Sequence, residues 1–208
     1  ANPKLKVAFV GPPVTVEPDK TLRNNPAIDF IVRREFDHQI VNYAKGTPLE
    51  ELPGVSFRKD GQIVNNPEGP VIENLDELPW VTKVYKRDLD ITRYNVPFLL
   101  NPFISLYTSR GCPAMCTFCL WPQTVGGHKY RTRSIGHVIE EVRWAQQAFP
   151  QVKELFFDDD TLTDDLPRVE ALARELGKLG IEWCCNAKGN VPRATLKVMR
   201  DNGLRLLT

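Results

Sequence analysis

"FISLYTSRGCPAMCTFCLWPQT" (103–124) is the stretch that decides how this chain folds. Its first seven residues (103–109) read as a strand, and they run without a break into a loop carrying Cys112, Cys116 and Cys119. From here onward strand and helix signals alternate. "SIGHVIEEVRWAQQAF" (134–149) places Ile135, Val138, Ile139, Val142 and Ala145 on one helical face, with Ser134 as N-cap. "KELFFDD" (153–159) predicts a strand, and "DLPRVEALARELGKLG" (165–180) a second amphipathic helix ended by Gly180. "IEWCCNA" (181–187) predicts another strand. "PRATLKVMRDNG" (192–203) predicts a helix opened by Pro192 and closed by Gly203, and "LRLLT" one more strand. Such alternation implies parallel βα units. Three units and a fourth strand amount to roughly half of a βα barrel.

The chain before residue 102 has a different texture. "KVAFVGPP" (6–13) reads as a buried strand ending in a turn, "AIDFIVRRE" (27–35) as a strand and "FDHQIVNYAKG" (36–46) as a short helix closed by Gly46. "GVSFRKDGQIVNN" (54–66) predicts a hairpin turning at Asp60-Gly61. Residues 67–97 show no periodicity, and their prolines and mixed charges predict an ordered linker.

Bulk properties exclude some functions. Among 208 residues, 27 basic side chains nearly balance 26 acidic ones, for a net charge of +1. A nucleic-acid partner held by bulk electrostatics would need a basic excess. The best candidate for a membrane span, "VPFLLNPFISLY", is short and broken by Asn101 and Pro102. The N-terminus lacks the features of a signal peptide, so a soluble cytoplasmic protein is the expectation.

The five cysteines are odd in number and clustered, which suits a metal site better than a disulfide framework. Cys112, Cys116 and Cys119 have the spacing C-x3-C-x2-C, and thiolates so spaced can enclose a soft metal centre. Structural zinc would want a fourth ligand, and His128, nine residues beyond Cys119, lies outside the usual finger spacing. A 4Fe–4S cluster held by three cysteines keeps one iron open for a small molecule. Cys184 and Cys185 are adjacent on a strand, point to opposite faces, and are expected to be ordinary strand residues with at least one in the core. His38, His128 and His137 stand apart from one another and are expected to be structural.

The cysteine loop resembles the signature of the radical S-adenosylmethionine (radical SAM) enzymes, including an aromatic residue, Phe118, before the third cysteine. The resemblance implies that Cys112, Cys116 and Cys119 hold a 4Fe–4S cluster and that Phe118 lies at the cofactor. In that family S-adenosylmethionine chelates the open iron and is cleaved by one electron to methionine and a 5′-deoxyadenosyl radical. The segment "FFDDDTLT" (156–163) resembles the family's second-strand segment, which makes Asp158, Asp159 and Asp160 candidates for the cofactor ammonium. An acidic triplet at a strand end is equally suited to capping the next helix. Lys188 stands where related sequences often have Arg and is a candidate for the cofactor carboxylate. Trp121 and Pro122 are expected to shield the cluster from water.

"LDELPW", upstream of the loop, together with "KVAFVGPPVT" and "AIDFIVRRE", resembles the class with an N-terminal cobalamin-binding domain. Gly11-Pro12-Pro13 replaces that class's Gly-Gly-x-His turn, and Arg34-Glu35-Phe36-Asp37 replaces its Gly-Glu-Gly-Glu. The cobalamin-ligating Asp-x-His-x-x-Gly pattern does not occur in the 208 residues. The fold expected is therefore α/β: a C-terminal remnant of a Rossmann-like cobalamin domain (1–66), a linker (67–101) and the N-terminal half of a radical SAM barrel (102–208). A chain of this kind is expected to be an internal fragment, inactive alone and self-associating through its open strand edge. "CTFCLWPQT" and "GGHKYRTRS" look most like proteins associated with hopanoid biosynthesis, with anaerobic magnesium-protoporphyrin ester cyclases as the second resemblance. A third reading is a zinc or Fe–S binding module without catalysis. The partners implied are a small-molecule or lipid substrate and an electron donor such as flavodoxin or ferredoxin.

Overall fold

Each strand forecast after residue 102 joins one parallel sheet. In the computed structural model, which describes residue 2 and residues 5–208, the chain divides into two units. One comprises Ala1–Glu73 and Pro113–Lys129, the other Asn74–Cys112 and Tyr130–Thr208. Residues 1, 3 and 4, at the start of the segment expected to be a cobalamin-domain remnant, lie outside the described residues.

The first unit contains β1 (Ala8–Val10), α1 (Pro12–Val16), α2 (Pro18–Asn24), β2 (Phe30–Val32), α3 (Asp37–Ala44), β3 (Val55–Lys59) and β4 (Gln62–Asn65). Its sheet has the order β1-β2-β3-β4, with β1 parallel to β2 and the other pairs antiparallel. Alternation along β2 separates two apolar layers. Phe30 and Val32 pack with Leu52, Val55 and Phe57 and with Ile40 and Tyr43 of α3, while Ile31 joins Val14, Leu22 and Ile28. The β3–β4 hairpin turns at Asp60 and Gly61 with φ of 50° and 78°, the left-handed pair that a two-residue turn of this type requires. The turn forecast at Gly11-Pro12-Pro13 instead opens α1, because Pro at the first helical positions has a preset φ and no N–H to leave unpaired.

The second unit begins with α4 (Val81–Asp88), β5 (Phe103–Leu106) and β6 (Ser109–Arg110). The chain then makes the excursion 113–129, which belongs to the first unit and holds α5 (Trp121–Thr124). It returns through β7 (Arg131–Thr132), α6 (Ile135–Ala148), β8 (Glu154–Phe157), α7 (Leu166–Gly177), β9 (Glu182–Cys185), α8 (Arg193–Asp201) and β10 (Leu204–Leu207). Strands β5, β8, β9 and β10 form one sheet in the spatial order β10-β9-β8-β5, all parallel. This is the half-barrel order.

Ile104, Leu106, Leu155, Phe157, Trp183 and Cys185 line one face and share a core with Val138, Val142, Val169, Leu172 and Leu176 of α6 and α7. Ser134 caps α6 by accepting the N–H of His137, as forecast. On the opposite face Glu154 is fully buried, accepting Nε and Nη2 of Arg205 at 2.7 and 3.0 Å and the N–H of Leu100 at 2.8 Å. A register shift between Leu204 and Leu206 accompanies this placement of Arg205.

The stretch 67–97, read as aperiodic, holds α4. Apolar and polar contacts together fix it: Val81 and Tyr85 pack against the core of this unit, Thr82 donates its N–H and Oγ1 to buried Glu141 at 3.1 and 2.8 Å, and Lys86 donates to the carbonyl of Ala148. Just ahead of the helix, Trp80 donates its Nε1 to Nε2 of His137 at 2.8 Å, and Nδ1 of that ring faces Asp76 at 3.1 Å. His137 therefore has a structural role. No helix among the described residues is long and apolar enough to cross a membrane.

Candidate functional site

The carboxyl end of β5 opens onto the cysteine loop, and the base of that loop is pinned. Ser109 and Arg110 of β6 pair antiparallel with Thr132 and Arg131 of β7. Two arginines, buried Arg133 and half-buried Arg168, reinforce the base. Arg133 donates to the carbonyl of Tyr107 at 2.9 Å, and Arg168 donates to the carbonyls of Thr108 and Arg133 at 3.1 and 3.0 Å. Gly111 has φ 87°, a conformation that favours glycine, and it turns the chain into Cys112.

Asp158, Asp159 and Asp160 at the end of β8 have three different environments. Asp158 lies among polar strand ends, accepting from the Tyr107 hydroxyl at 3.3 Å and from Nδ2 of Asn186 at 3.0 Å. Asn186 in turn accepts from Oγ1 of Thr208 at 2.6 Å, so one polar row crosses the ends of the parallel strands. Asp159 is fully buried. Its Oδ1 accepts from the N–H of Thr108 at 2.8 Å, from Oγ of Ser109 at 2.6 Å and from the N–H of Ser109. Its Oδ2 is buried with no hydrogen-bond partner. Burial pushes this carboxyl up to about 6, against the pull of its donors and Arg168. Asp160 accepts the N–H of Gly111 at 3.0 Å, and burial raises its carboxyl too. None of the three caps the following helix; Asp165 does, accepting the N–H of Arg168.

Lys188 is ion-paired with Asp164. Tyr107 is half-exposed, and burial of the rest of the ring, together with Asp158, raises its phenol well above the ordinary value.

All five cysteines are free thiols. Cys116 is exposed, Cys112 and Cys119 half-buried, and the N–H of Cys119 donates to the carbonyl of Cys116 at 3.1 Å. Phe118 is 89% exposed, so its ring contributes almost nothing to packing. Trp121 is half-exposed and Pro122 buried as they open α5. Among the described residues no three His, Cys, Asp or Glu side chains converge on a metal-sized centre. The fit to a cluster therefore rests on donor chemistry: three thiols free of disulfides, at a spacing suited to iron–sulfur ligation, on a loop with a fixed base.

Residues 106–208 match the model of the radical SAM superfamily. The chain belongs to that superfamily. It is 31% identical to "Uncharacterized methyltransferase PH0819" of Pyrococcus horikoshii over 97% of this chain and 44% of the relative. It is 27% identical to the anaerobic magnesium-protoporphyrin IX monomethyl ester cyclase of Synechocystis over 95% of this chain and 44% of the relative. Among solved structures it resembles the radical S-adenosylmethionine methyltransferase TsrM from Kitasatospora setae, determined with cobalamin and a [4Fe-4S] cluster bound. That likeness has a TM-score of 0.69 at 14% identity, covers 98% of this chain and 41% of TsrM, and is one of fold. The chain thus spans less than half the length of the relatives it matches.

Tyr107, Ser109, Arg168, Asn186 and Thr208 were not singled out in the sequence. Tyr107, Asn186 and Thr208 share one signal: each is a polar residue at or just past the end of an apolar strand run, where parallel βα folds build their sites.

Proposed function

We propose that this protein is a radical SAM enzyme in which Cys112, Cys116 and Cys119 ligate a 4Fe–4S cluster and the polar ends of β5, β8 and β9 bind S-adenosylmethionine. One observation carries the proposal: three free thiols at C-x3-C-x2-C leave the first strand of a parallel sheet, in the segment matched by the superfamily model. When bound, such a cluster supplies one electron and an open iron position for the reductive cleavage of S-adenosylmethionine to methionine. The chain's own residues bind and orient. Asp158 has lone pairs beyond those taken by Tyr107 and Asn186, enough to accept from the cofactor ammonium. Lys188 must leave Asp164 before it can meet the cofactor carboxylate. Exposed Phe118 is free to cover the cofactor.

The reaction class we favour is methyl transfer with cobalamin as the carrier. Its support is the near-complete coverage of this chain by the Pyrococcus methyltransferase and the fold shared with TsrM. No residue described here is assigned to cobalamin. The second reading, an oxidative cyclase acting on a magnesium porphyrin ester, is supported by the Synechocystis relative. Hopanoid side chains as substrate rest only on the local likeness of the segments around Cys119 and His128, and none of the relatives named above carries that substrate. A flavodoxin or ferredoxin donor, a small-molecule or lipid substrate, self-association along the edge of β10 and a cytoplasmic location complete the proposal.

Anaerobic turnover of the complete protein with S-adenosylmethionine and reductant tests it. Methionine and 5′-deoxyadenosine should form, and both should vanish in Cys116→Ala. S-adenosylhomocysteine formed only when cobalamin is added would establish methyl transfer; formed alone, it would remove the cleavage step. A cluster-loaded protein that yields none of these products contradicts the proposal.

A further inference from the structure

We infer that Asp159 and Asp160 are positioning residues for Cys112, holding the backbone that delivers this thiol to the cluster. The inference rests on the cluster reading of the loop and corrects the simplest view of the acidic triplet, in which all three carboxylates face the cofactor.

Of the backbone N–H groups from Thr108 to Gly111, three donate to these two carboxylates: Thr108 and Ser109 to Asp159, Gly111 to Asp160. Asp159 also takes the Ser109 hydroxyl. A buried carboxylate is costly unless its oxygens are well bonded, yet Oδ2 of Asp159 has no partner. Core packing alone would be better served by an apolar residue at this position. What the carboxylate provides is an acceptor just past β8 that gathers donors from the chain leaving β5. The two aspartates are adjacent after β8 and take different N–H groups of that chain, so they grip it at two places. The second grip lies one residue before Cys112, where the left-handed conformation of Gly111 swings the chain outward. Charge-assisted bonds of this kind are stronger than neutral ones and fix direction as well as distance. The Asp158 carboxylate accepts instead from the Tyr107 hydroxyl and Asn186 and remains the carboxylate for the cofactor.

The test uses the protein reconstituted anaerobically with iron and sulfide, read by the rate at which a chelator strips the cluster. Asp160→Ala and Asp159→Ala should each accelerate iron loss about tenfold or more. Asp160→Asn, which keeps an acceptor for the Gly111 N–H, should restore most of the wild-type rate. Glu154→Gln weakens a buried network with Arg205 and Leu100 at the other end of β8, and it should lower the melting temperature without changing iron loss. Unchanged iron loss in Asp160→Ala, or equal acceleration by Glu154→Gln, overturns the inference.

Hydrogen exchange on the metal-free protein separates this inference from the cluster reading. Asp159→Ala and Asp160→Ala should lose protection at residues 108–112 while α6 and α7 stay protected. Intact protection there overturns the positioning role whether or not the wild-type protein takes up iron. A wild-type protein that binds no iron but shows this local loss overturns the cluster reading alone and leaves the grip on Cys112 standing.

Discussion

The chain keeps its cysteines in two places, and the places make them different reagents. Cys112, Cys116 and Cys119 lie on a loop, half-buried or exposed, with no disulfide between them. Cys184 and Cys185 lie inside β9, both fully buried. Cys185 belongs to the core against the helices, while Cys184 faces the other side of the sheet and points its thiol at the carbonyl of Leu155. Burial, with Glu154 nearby, pushes the Cys184 thiol up to about 12, and burial raises Cys185 as well. A buried thiol that resists ionisation is a small hydrophobe; a thiol that water and metal can reach is a ligand. Five cysteines in one sequence thus divide by environment into three on a partly exposed loop and two packed inside a strand.

The largest expected effect tests that division directly. Alanine at Cys112, Cys116 or Cys119 should reduce iron from about four per chain to below about one after reconstitution. Alanine at Cys184 or Cys185 should leave iron content unchanged. Iron loss in a β9 variant would erase the distinction. Next in size is alkylation of the metal-free native protein near pH 8, followed by peptide mass spectrometry. Cys116 should react at least about a thousandfold faster than Cys184, since the strand thiol is rarely ionised and is shut off from solvent. Comparable rates would show that β9 opens readily.

The same contrast extends to stability. Trp183 is fully buried, packs edge-on against Phe157 and donates its Nε1 to the carbonyl of Asn202 at 2.9 Å. Trp183→Ala should cost about 3–5 kcal/mol in denaturant unfolding. Phe118→Ala on the loop should cost well under about 1 kcal/mol, because that ring is already in water.

A further effect concerns pH. Burial raises the Asp159 carboxyl from its unfolded value near 3.8 to about 6 in the fold. The folded state therefore holds this proton more tightly than the unfolded chain. The stability it contributes is fully present below about pH 4 and is lost as pH rises through about 6. Asp159→Asn removes that titration and should flatten the profile of unfolding free energy between pH 4 and 7, by about 3 kcal/mol. A profile unchanged by the substitution would show that Asp159 titrates normally.

The half-barrel was legible because its code is local. Apolar residues at helical spacing, Ser134 as a cap, Gly180 and Gly203 as stops and short apolar strand runs each mark one element without help from the rest of the chain. The hairpin at Asp60-Gly61 was legible for the same reason. Helix α4 was not, because it is short and Trp80, Thr82 and Lys86 tie it through polar contacts to residues 57–62 positions away, which leave no periodic trace. At the site, spacing exposed the three loop cysteines, since ligation constrains neighbours in sequence. The separate tasks of Asp158, Asp159 and Asp160 depend on which way each side chain leaves the end of β8 and on donors some 50 residues away. Three identical letters in a row could not reveal that.

The central claim is that the three loop thiols hold a cluster with one iron left open. Electron paramagnetic resonance of the anaerobically reconstituted, reduced protein, recorded with and without S-adenosylmethionine, tests it most directly. The expected result is a [4Fe–4S]+ signal that changes shape when S-adenosylmethionine is added and is absent in Cys116→Ala. Stoichiometric zinc with no such signal, or a cluster signal indifferent to S-adenosylmethionine, would contradict it.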